Sequence, residues 1–164
     1  MKIFLIEISS GIIMEIVNLR ELKNYKYRKS MCVLEIELWE ECENELKSYQ
    51  KGLKDALKKK TYFPFLAIEN NEPLGYIECQ FVYSHDEKFS FIPILKIDGL
   101  YVSKKHRREG VATNMLKYIE EFALSFGCEQ ISSNYYETNK TSEMFHKRHG
   151  FQTTNKLVSV IKNI

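Results

Sequence analysis

Apolar and polar positions alternate in MEIVNLREL (residues 14–22), the period of two that predicts a half-buried first strand. From about Asn24 to Lys60 the spacing changes. Leu34, Leu38, Cys42, Leu46 and Tyr49, then Leu53 and Leu57, recur every three to five residues, which predicts two or more helices. FPFLAIEN (63–70) and PLGYIECQFVYS (73–84) predict a hairpin joined through NNEP, whose Asn and Pro residues favour a turn. FIPILKIDGLYVS (91–103) is a long apolar strand, with Pro93 expected to hold its early part at an edge or in irregular backbone. Val111, Met115, Ile119, Phe122 and Phe126 mark one helix face. GCEQISSNYY (127–136) predicts a strand after a glycine stop. NKTSEMFHKRHG (139–150) predicts a short helix closed by Gly150, and KLVSVIKNI (156–164) a last strand. The order is strand, helices, three strands, helix, strand, helix, strand, a mixed α/β plan around one sheet. No repeat, low-complexity tract or linker interrupts it, so residues 1–164 are expected to form a single domain. Met14 can serve as an alternative start, which would make residues 1–13 an N-terminal extension.

Composition adds exclusions. At 164 residues, 44% of them apolar, the chain can bury a core without staples. The formal charge of +2, from 24 basic and 22 acidic residues, gives no overall field that recommends nucleic acid as a partner. Charge is nonetheless clustered. Glu35, Glu37, Glu40, Glu41, Glu43 and Glu45 crowd one segment, while Lys104, Lys105, Arg107 and Arg108 crowd another. Each cluster alone reads equally well as a solvated face. The four cysteines, Cys32, Cys42, Cys79 and Cys128, form no CxxC pair, so neither a metal site nor a disulfide framework is indicated and a reducing cytoplasm fits. Glu7 and Glu15 interrupt the apolar start, which argues against a signal peptide, and no segment has the length of a membrane span.

The clearest chemistry lies in RREGVA, residues 107–112, between the long strand and the helix that follows it. The first amides of a helix have no partners inside it, and the peptide dipoles add about half a positive charge there. Gly110 removes a side chain that would hold a ligand off those amides, and Ala112 keeps the next approach small. Such a turn can cradle a diphosphate, with the neighbouring basic residues reaching a further phosphate. By spacing alone a plain strand-to-helix turn remains the alternative. A dinucleotide fingerprint and a P-loop are both absent.

Within LYVSKKHRREGVATNML (100–116), Arg107, Gly110 and Ala112 match the pattern Arg/Gln-x-x-Gly-x-Gly/Ala, so the segment resembles the acyl-CoA motif of the GNAT superfamily of N-acetyltransferases. NKTSEMFHKRHGF resembles the second signature of that superfamily, with Asn139, Gly150 and Phe151 in place. From Trp39 onward the blocks ELWEE, LGYIECQF, KIDGLYV, GC, SEMFHKRHGF and VSVIKNI are similar to those of the aminoglycoside 6'-N-acetyltransferases, a group in which His occurs where Tyr is common and His146 stands here. The resemblance implies a GNAT fold: a mixed, mostly antiparallel central sheet flanked by helices and splayed in the middle to admit acetyl-CoA. It implies transfer of an acetyl group from acetyl-CoA, as co-substrate, to a primary amine by direct attack in a ternary complex. The favoured acceptor is the 6'-amine of an aminoglycoside, and the other acceptors to weigh are a polyamine, another small amine or a peptide amine. A CoA-binding module without turnover is the reading from another class.

That chemistry makes three demands. A base must take the amine's proton: Asp98 on the long strand is favoured, as base or as anchor for a cationic substrate, with Glu78 as rival. A plain Asp at a strand kink beside Gly99 is the structural alternative. Backbone N–H groups must polarise the thioester carbonyl. The resemblance assigns Leu100, Tyr101 and Val102 to that segment and to pairing with the pantetheine arm, and Gly99 would ease a bulge there. The leaving thiolate can use an acid. His146 is the candidate, although a structural or CoA-contacting histidine is an equal alternative and a thiolate with a pKa near about 8.5 can leave unaided. Arg107, Arg108, Glu109, Gly110, Val111, Ala112 and Thr113, with Asn139 and Ser142, complete the expected CoA contacts. The acidic run Glu35 to Glu45, with Asp86, Glu87 and Glu137, would line a pocket for a polycation, but helical spacing puts Glu37 with Glu41 on one face and Glu40 with Glu43 on another. Cys79 and Cys128 read as small buried residues. The apolar last strand LVSVI could pair with a second copy, so a homodimer is a further expectation.

Overall fold

The computed structural model describes residues 5–7, 13–41, 43–83 and 93–153. The chain divides into two compact units, Met1–Ser133 and Asn134–Ile164. The first holds a six-stranded sheet in sequence order, formed by β1 (Leu5–Glu7), β2 (Ile13–Asn18), β3 (Tyr62–Glu69), β4 (Glu72–Tyr83), β5 (Pro93–Val102) and β6 (Gln130–Ser133). Pairing is antiparallel from β1 to β5 and parallel between β5 and β6. The helices α1 (Arg28–Trp39) and α2 (Leu46–Ala56) precede β3, and α3 (Val111–Ser125) links β5 to β6. Residues 5–7, expected in an extension, form the edge strand β1. The last strand, KLVSVIKNI, and its proposed pairing with a second copy lie outside the described residues, as do Cys42, Asp86 and Glu87.

Local sequence explains the joints. The β3–β4 hairpin turns on Asn70 and Asn71 alone, both left-handed at φ 47° and 67°, the mirror-image turn that two-residue hairpins favour. Pro73, expected in the turn, instead lies in β4 opposite Ile68, and the register shifts between Ala67 and Ile68. Pro64 is tolerated in an interior strand because β2 pairs with β3 only from Phe65 onward. The carbonyl of Pro64 still accepts the Leu19 N–H at 2.9 Å. The helix α1 stops at Trp39 because Glu40 turns left-handed at φ 53°, so the acidic run does not continue on one helix.

The sheet buries both faces. On one side Met31, Cys32 and Leu34 of α1 and Leu53 of α2 pack with Val17, Tyr62, Leu66, Ile68, Tyr76 and Tyr101. On the other, Val111, Met115, Leu116, Tyr118 and Ile119 of α3 are buried, with the Tyr118 ring 5.3 Å from that of Phe65. Phe126 lies beyond the end of α3 and is half exposed, so the expected helix face ends at Phe122. Gly127 then turns left-handed at φ 76°, the glycine stop expected before β6.

Two glycines separate packing from propensity. A Cβ on Gly75 would lie 2.5 Å from the Tyr101 carbonyl oxygen, whereas one on Gly52, inside α2, meets nothing within 4 Å. Chemical denaturation should show Gly75→Ala losing about 1–3 kcal/mol, as β4 and β5 are forced apart. Gly52→Ala should gain about 0.5–1 kcal/mol from helix propensity. Equal effects at the two positions would contradict this account of the strand pair.

Candidate active site

The site is built on β4 and β5. Their register places Glu78 opposite Gly99 and Cys79 opposite Ile97, so Asp98 is an extra residue on β5, a bulge beside the Gly99 expected to ease one. The bulge bares backbone: Asp98 as a residue is exposed although its side chain is only 24% exposed. Gly99 leaves room for Glu78 there: a Cβ would lie 2.7 Å from Oε1, so the Glu78 side chain would have to shift. Pairing of β5 with β6 ends at Ile97 and Ser133, and the two strands part there. The edge of β5 from Asp98 to Val102 therefore faces no strand among the described residues on the β6 side. That edge includes Leu100, Tyr101 and Val102.

Glu78 points into a cavity of about 250 Å³ lined by Glu35 of α1, Ser48, Tyr49, Gly52, Leu53 and Ala56 of α2, Tyr62 of β3 and Glu78 itself. The Tyr62 hydroxyl donates to Glu78 Oε2 at 2.5 Å. Burial pushes the Glu78 carboxyl up, the Tyr62 hydrogen bond pulls it back, and the Asp98 charge adds to the rise. Burial and then the Glu78 charge push Glu35 up to about 7. Among the described residues no Lys, Arg or His makes an ion pair with either carboxylate. Asp98 differs: it does not line the cavity, and Lys96 holds its Oδ1 at 2.7 Å.

The remaining acidic residues of the run go elsewhere. Glu37 accepts the Lys104 N–H at 3.0 Å and the Ser103 hydroxyl at 3.2 Å, tying α1 to the end of β5. Burial acts to raise the Glu37 carboxyl, but these bonds and the nearby Tyr101 hydroxyl outweigh it and hold it below the usual range. Glu40 pairs with Lys104 at 3.1 Å, Glu41 accepts the Tyr49 hydroxyl at 2.9 Å, and Glu72 pairs with Lys105. The two lysines expected to supplement an anion site thus carry carboxylate partners.

The turn itself has the required shape. Arg107 Nε–H donates to the Val102 carbonyl at 3.2 Å and its guanidinium lies 5.5 Å from the Tyr101 ring centre. Tyr101, 5% exposed, is a core residue through its side chain. Arg108 and Gly110 are both left-handed, at φ 70° and 88°, so Gly110 serves the backbone as well as the space above it. The α3 ladder begins with Asn114 N–H to the Gly110 carbonyl at 3.0 Å, so the Val111 and Ala112 amides precede it, followed by Thr113. Glu109 is turned to His106, 3.2 Å from Nδ1, which leaves its backbone rather than its carboxylate as the candidate contact. These features fit a diphosphate on the turn and an extended arm along β5.

The second unit carries the other predicted residues. There α4 (Lys140–Arg148) is capped by Asn139, whose Oδ1 accepts the Ser142 N–H at 3.0 Å. It closes on Gly150, left-handed at φ 78°, with Phe151 N–H donating to the His146 carbonyl at 3.0 Å. His146 stacks on Tyr135 with ring centres 4.9 Å apart and meets Phe151 edge-on at 4.9 Å. Its Nδ1 lies 2.7 Å from the Ser142 carbonyl, which can only accept, so Nδ1 carries the proton and in the neutral ring Nε2 is an acceptor. Acid catalysis by neutral His146 through Nε2 is thereby ruled out; only the imidazolium could donate. Cys79 and Cys128 are buried and burial raises both thiols, as inert small residues should be. No group of three metal-ligating residues and no helix long and apolar enough to cross a membrane occurs among the described residues.

With the bulged strand, the open β5 edge and the glycine turn in place, residues 25–151 match the acetyltransferase (GNAT) family, and the chain belongs to it. It is 28% identical over 136 residues to the aminoglycoside N(6')-acetyltransferase type 1 of Acinetobacter haemolyticus, covering 83% of this chain and 92% of that one. A solved aminoglycoside N-acetyltransferase, AAC(6')-Iy in complex with CoA, shares the fold at a TM-score of 0.78 and 18% identity, covering 94% of this chain and 97% of that one. So does a transcriptional regulator of Bacillus halodurans C-125, at a TM-score of 0.74, 16% identity, and 90% and 99% coverage. The fold alone therefore does not fix the acceptor.

What the sequence missed is the weight of Glu35 and Tyr62. Glu35 was one of six similar glutamates, and nothing local marked it as the one facing the cavity. Its raised carboxyl has a consequence for stability. The folded protein keeps a proton on Glu35 up to about pH 7, whereas an unfolded Glu loses it near about 4.3, so rising pH through that window destabilises the fold. Melting temperatures measured from pH 5 to pH 8 should fall for the native chain relative to Glu35→Gln, which lacks the titration; parallel curves would contradict the burial of this carboxyl.

Proposed function

We propose that the chain, as one acetyltransferase domain, acetylates a primary amine from acetyl-CoA by direct attack in a ternary complex, and that its acceptor is the 6'-amine of an aminoglycoside. The observation that carries this reading is the pair of half-buried carboxylates, Glu35 and Glu78, facing a cavity without a cationic partner among the described residues, beside the strand suited to the acetyl donor. Such a pair favours a cation, because an ammonium offsets the desolvation that burial imposes on both carboxylates. The kinship with aminoglycoside N(6')-acetyltransferases supports the same acceptor class.

The residues divide the work. Glu35 anchors the ammonium. Glu78, a stronger base than an exposed carboxylate because burial raises it, takes the proton that must leave before the nitrogen can attack. Acetyl-CoA supplies the thioester carbonyl, and those N–H groups of β5 between Gly99 and Val102 that point away from β4, every second one, are the donors available to polarise it. Gly110, Val111 and Ala112 offer backbone to the diphosphate, with Arg107 and Arg108 as nearby cations that make no ion pair among the described residues. Asp98, held by Lys96, shapes the bulge and adds negative charge rather than serving as the base. His146 could serve the thiolate only as the imidazolium, donating from Nε2, and no other acid is assigned.

Thiol release from acetyl-CoA tests this with two aminoglycosides that differ in amine or hydroxyl at the 6' carbon, and with spermidine. Release is expected only with the 6'-amine compound; release only with spermidine would move the acceptor to polyamines, and none with any amine would favour a CoA-binding module. Glu78→Gln should lower kcat about 100-fold or more, and Asp98→Asn by less than about tenfold. The reverse order would return the base role to Asp98. Gly110→Glu should abolish CoA binding in calorimetry, through strain at a left-handed residue and repulsion of the diphosphate; retained affinity would remove the turn from the site.

A further inference from the structure

We propose that Tyr62 and Gly99 are positioning residues that clamp the Glu78 carboxylate from two sides, and that this clamp sets both where the base stands and the pH at which it works. The inference rests on Glu78 being the base. Each oxygen of Glu78 has its own constraint. Oε2 receives the Tyr62 hydroxyl at 2.5 Å, from a ring that is 8% exposed and fixed in the core between the sheet and the first two helices. Oε1 lies against Gly99: a Cβ at position 99 would stand 2.7 Å from Oε1, 3.2 Å from Cγ and 3.4 Å from Cδ, so the Glu78 side chain would have to move. Gly99 is the second residue of the bulge, so the one extra residue of β5 and the absent side chain next to it together make the space that Glu78 fills.

The groups facing Glu78 are nearly all neutral or negative. Glu35 comes from α1, Tyr49 from α2, Tyr62 from β3, and Tyr76 and Cys79 from β4 itself, while β5 brings Asp98 with Lys96 bound to it. In that company the Tyr62 hydroxyl is the interaction that favours the charged carboxylate, against burial and the Asp98 charge. Its own proton is secure, because burial first and then the Glu78 charge hold the phenol far above its ordinary range. Tyr62 is therefore a donor throughout the working range, and Oε1 is left to receive the amine proton.

Removing the donor should leave the fold and shift the chemistry. In Tyr62→Phe the ring still fills the core, the Glu78 carboxyl rises further, and the acidic limb of kcat/KM moves to higher pH by roughly one unit. Gly99→Ala should cut kcat about 10- to 100-fold, because the new methyl displaces the carboxylate. Shortening the side chain relieves the contact, so Gly99→Ala should cost far less kcat in a Glu78→Asp background than in the native chain. Rates are read with neamine as acceptor, and melting temperatures follow the Gly99 and Glu78 cycle in parallel, where the same relief should appear without any turnover. An unmoved acidic limb in Tyr62→Phe, or strictly additive losses in the cycle, would overturn the clamp while leaving Glu78 as base. Full activity in Glu78→Gln would instead remove the base reading itself.

Discussion

A half-buried carboxylate without a cation needs something to hold its charge, and Glu78 has one phenol and one gap in the neighbouring strand. The gap exists because β5 carries one residue more than β4 at that point. The same irregularity serves the other half of the site. Beyond it β5 has parted from β6, and its edge is open to an extended ligand. Acceptor pocket and donor edge are thus two sides of one bulge, and a change in its geometry would disturb both.

A second constraint fixes the turn that follows. The residues leading into α3 are tied back to α1 through Glu37 and Glu40 and to β4 through Glu72. Isolated exposed pairs of this kind contribute little stability. Here several act on one short segment, together with Arg107 on the Val102 carbonyl, and they orient a backbone in which Arg108 and Gly110 are left-handed. Acidic residues near a candidate cation pocket are easily assigned to it as a group. Only Glu35 among those placed faces the cavity; Glu37 and Glu40 serve the anion turn instead.

The local pattern carried most of the fold. Helical spacing located α1 and α2, alternation located β2, the turn signal at NNEP located β3 and β4, an apolar run located β5, and Gly127 and Gly150 marked the stops where the structure has left-handed glycines. The short strand β1 was not legible, since three residues give no period to read. Gly110 and the bulge at Gly99 were legible because glycine in those contexts has few other uses. Which carboxylate faces the cavity was not: it depends on where α1 ends, and that is decided by a left-handed Glu40 with no glycine to announce it. Nor does the sequence distinguish Asp98 from Glu78. Neighbouring strands carry both, and only register and the Lys96 pair separate them.

The central claim is that Glu35 and Glu78 form a half-buried, cation-seeking pair that receives the acceptor amine. Carbon-13 titration of their side-chain carboxyls, in the free protein and with neamine bound, addresses it directly. The account predicts that both titrate above the ordinary glutamate range in the free protein, with Glu35 at about 7, and that the amine moves both downward. Ordinary titration of both carboxyls, unchanged by the amine, would contradict it.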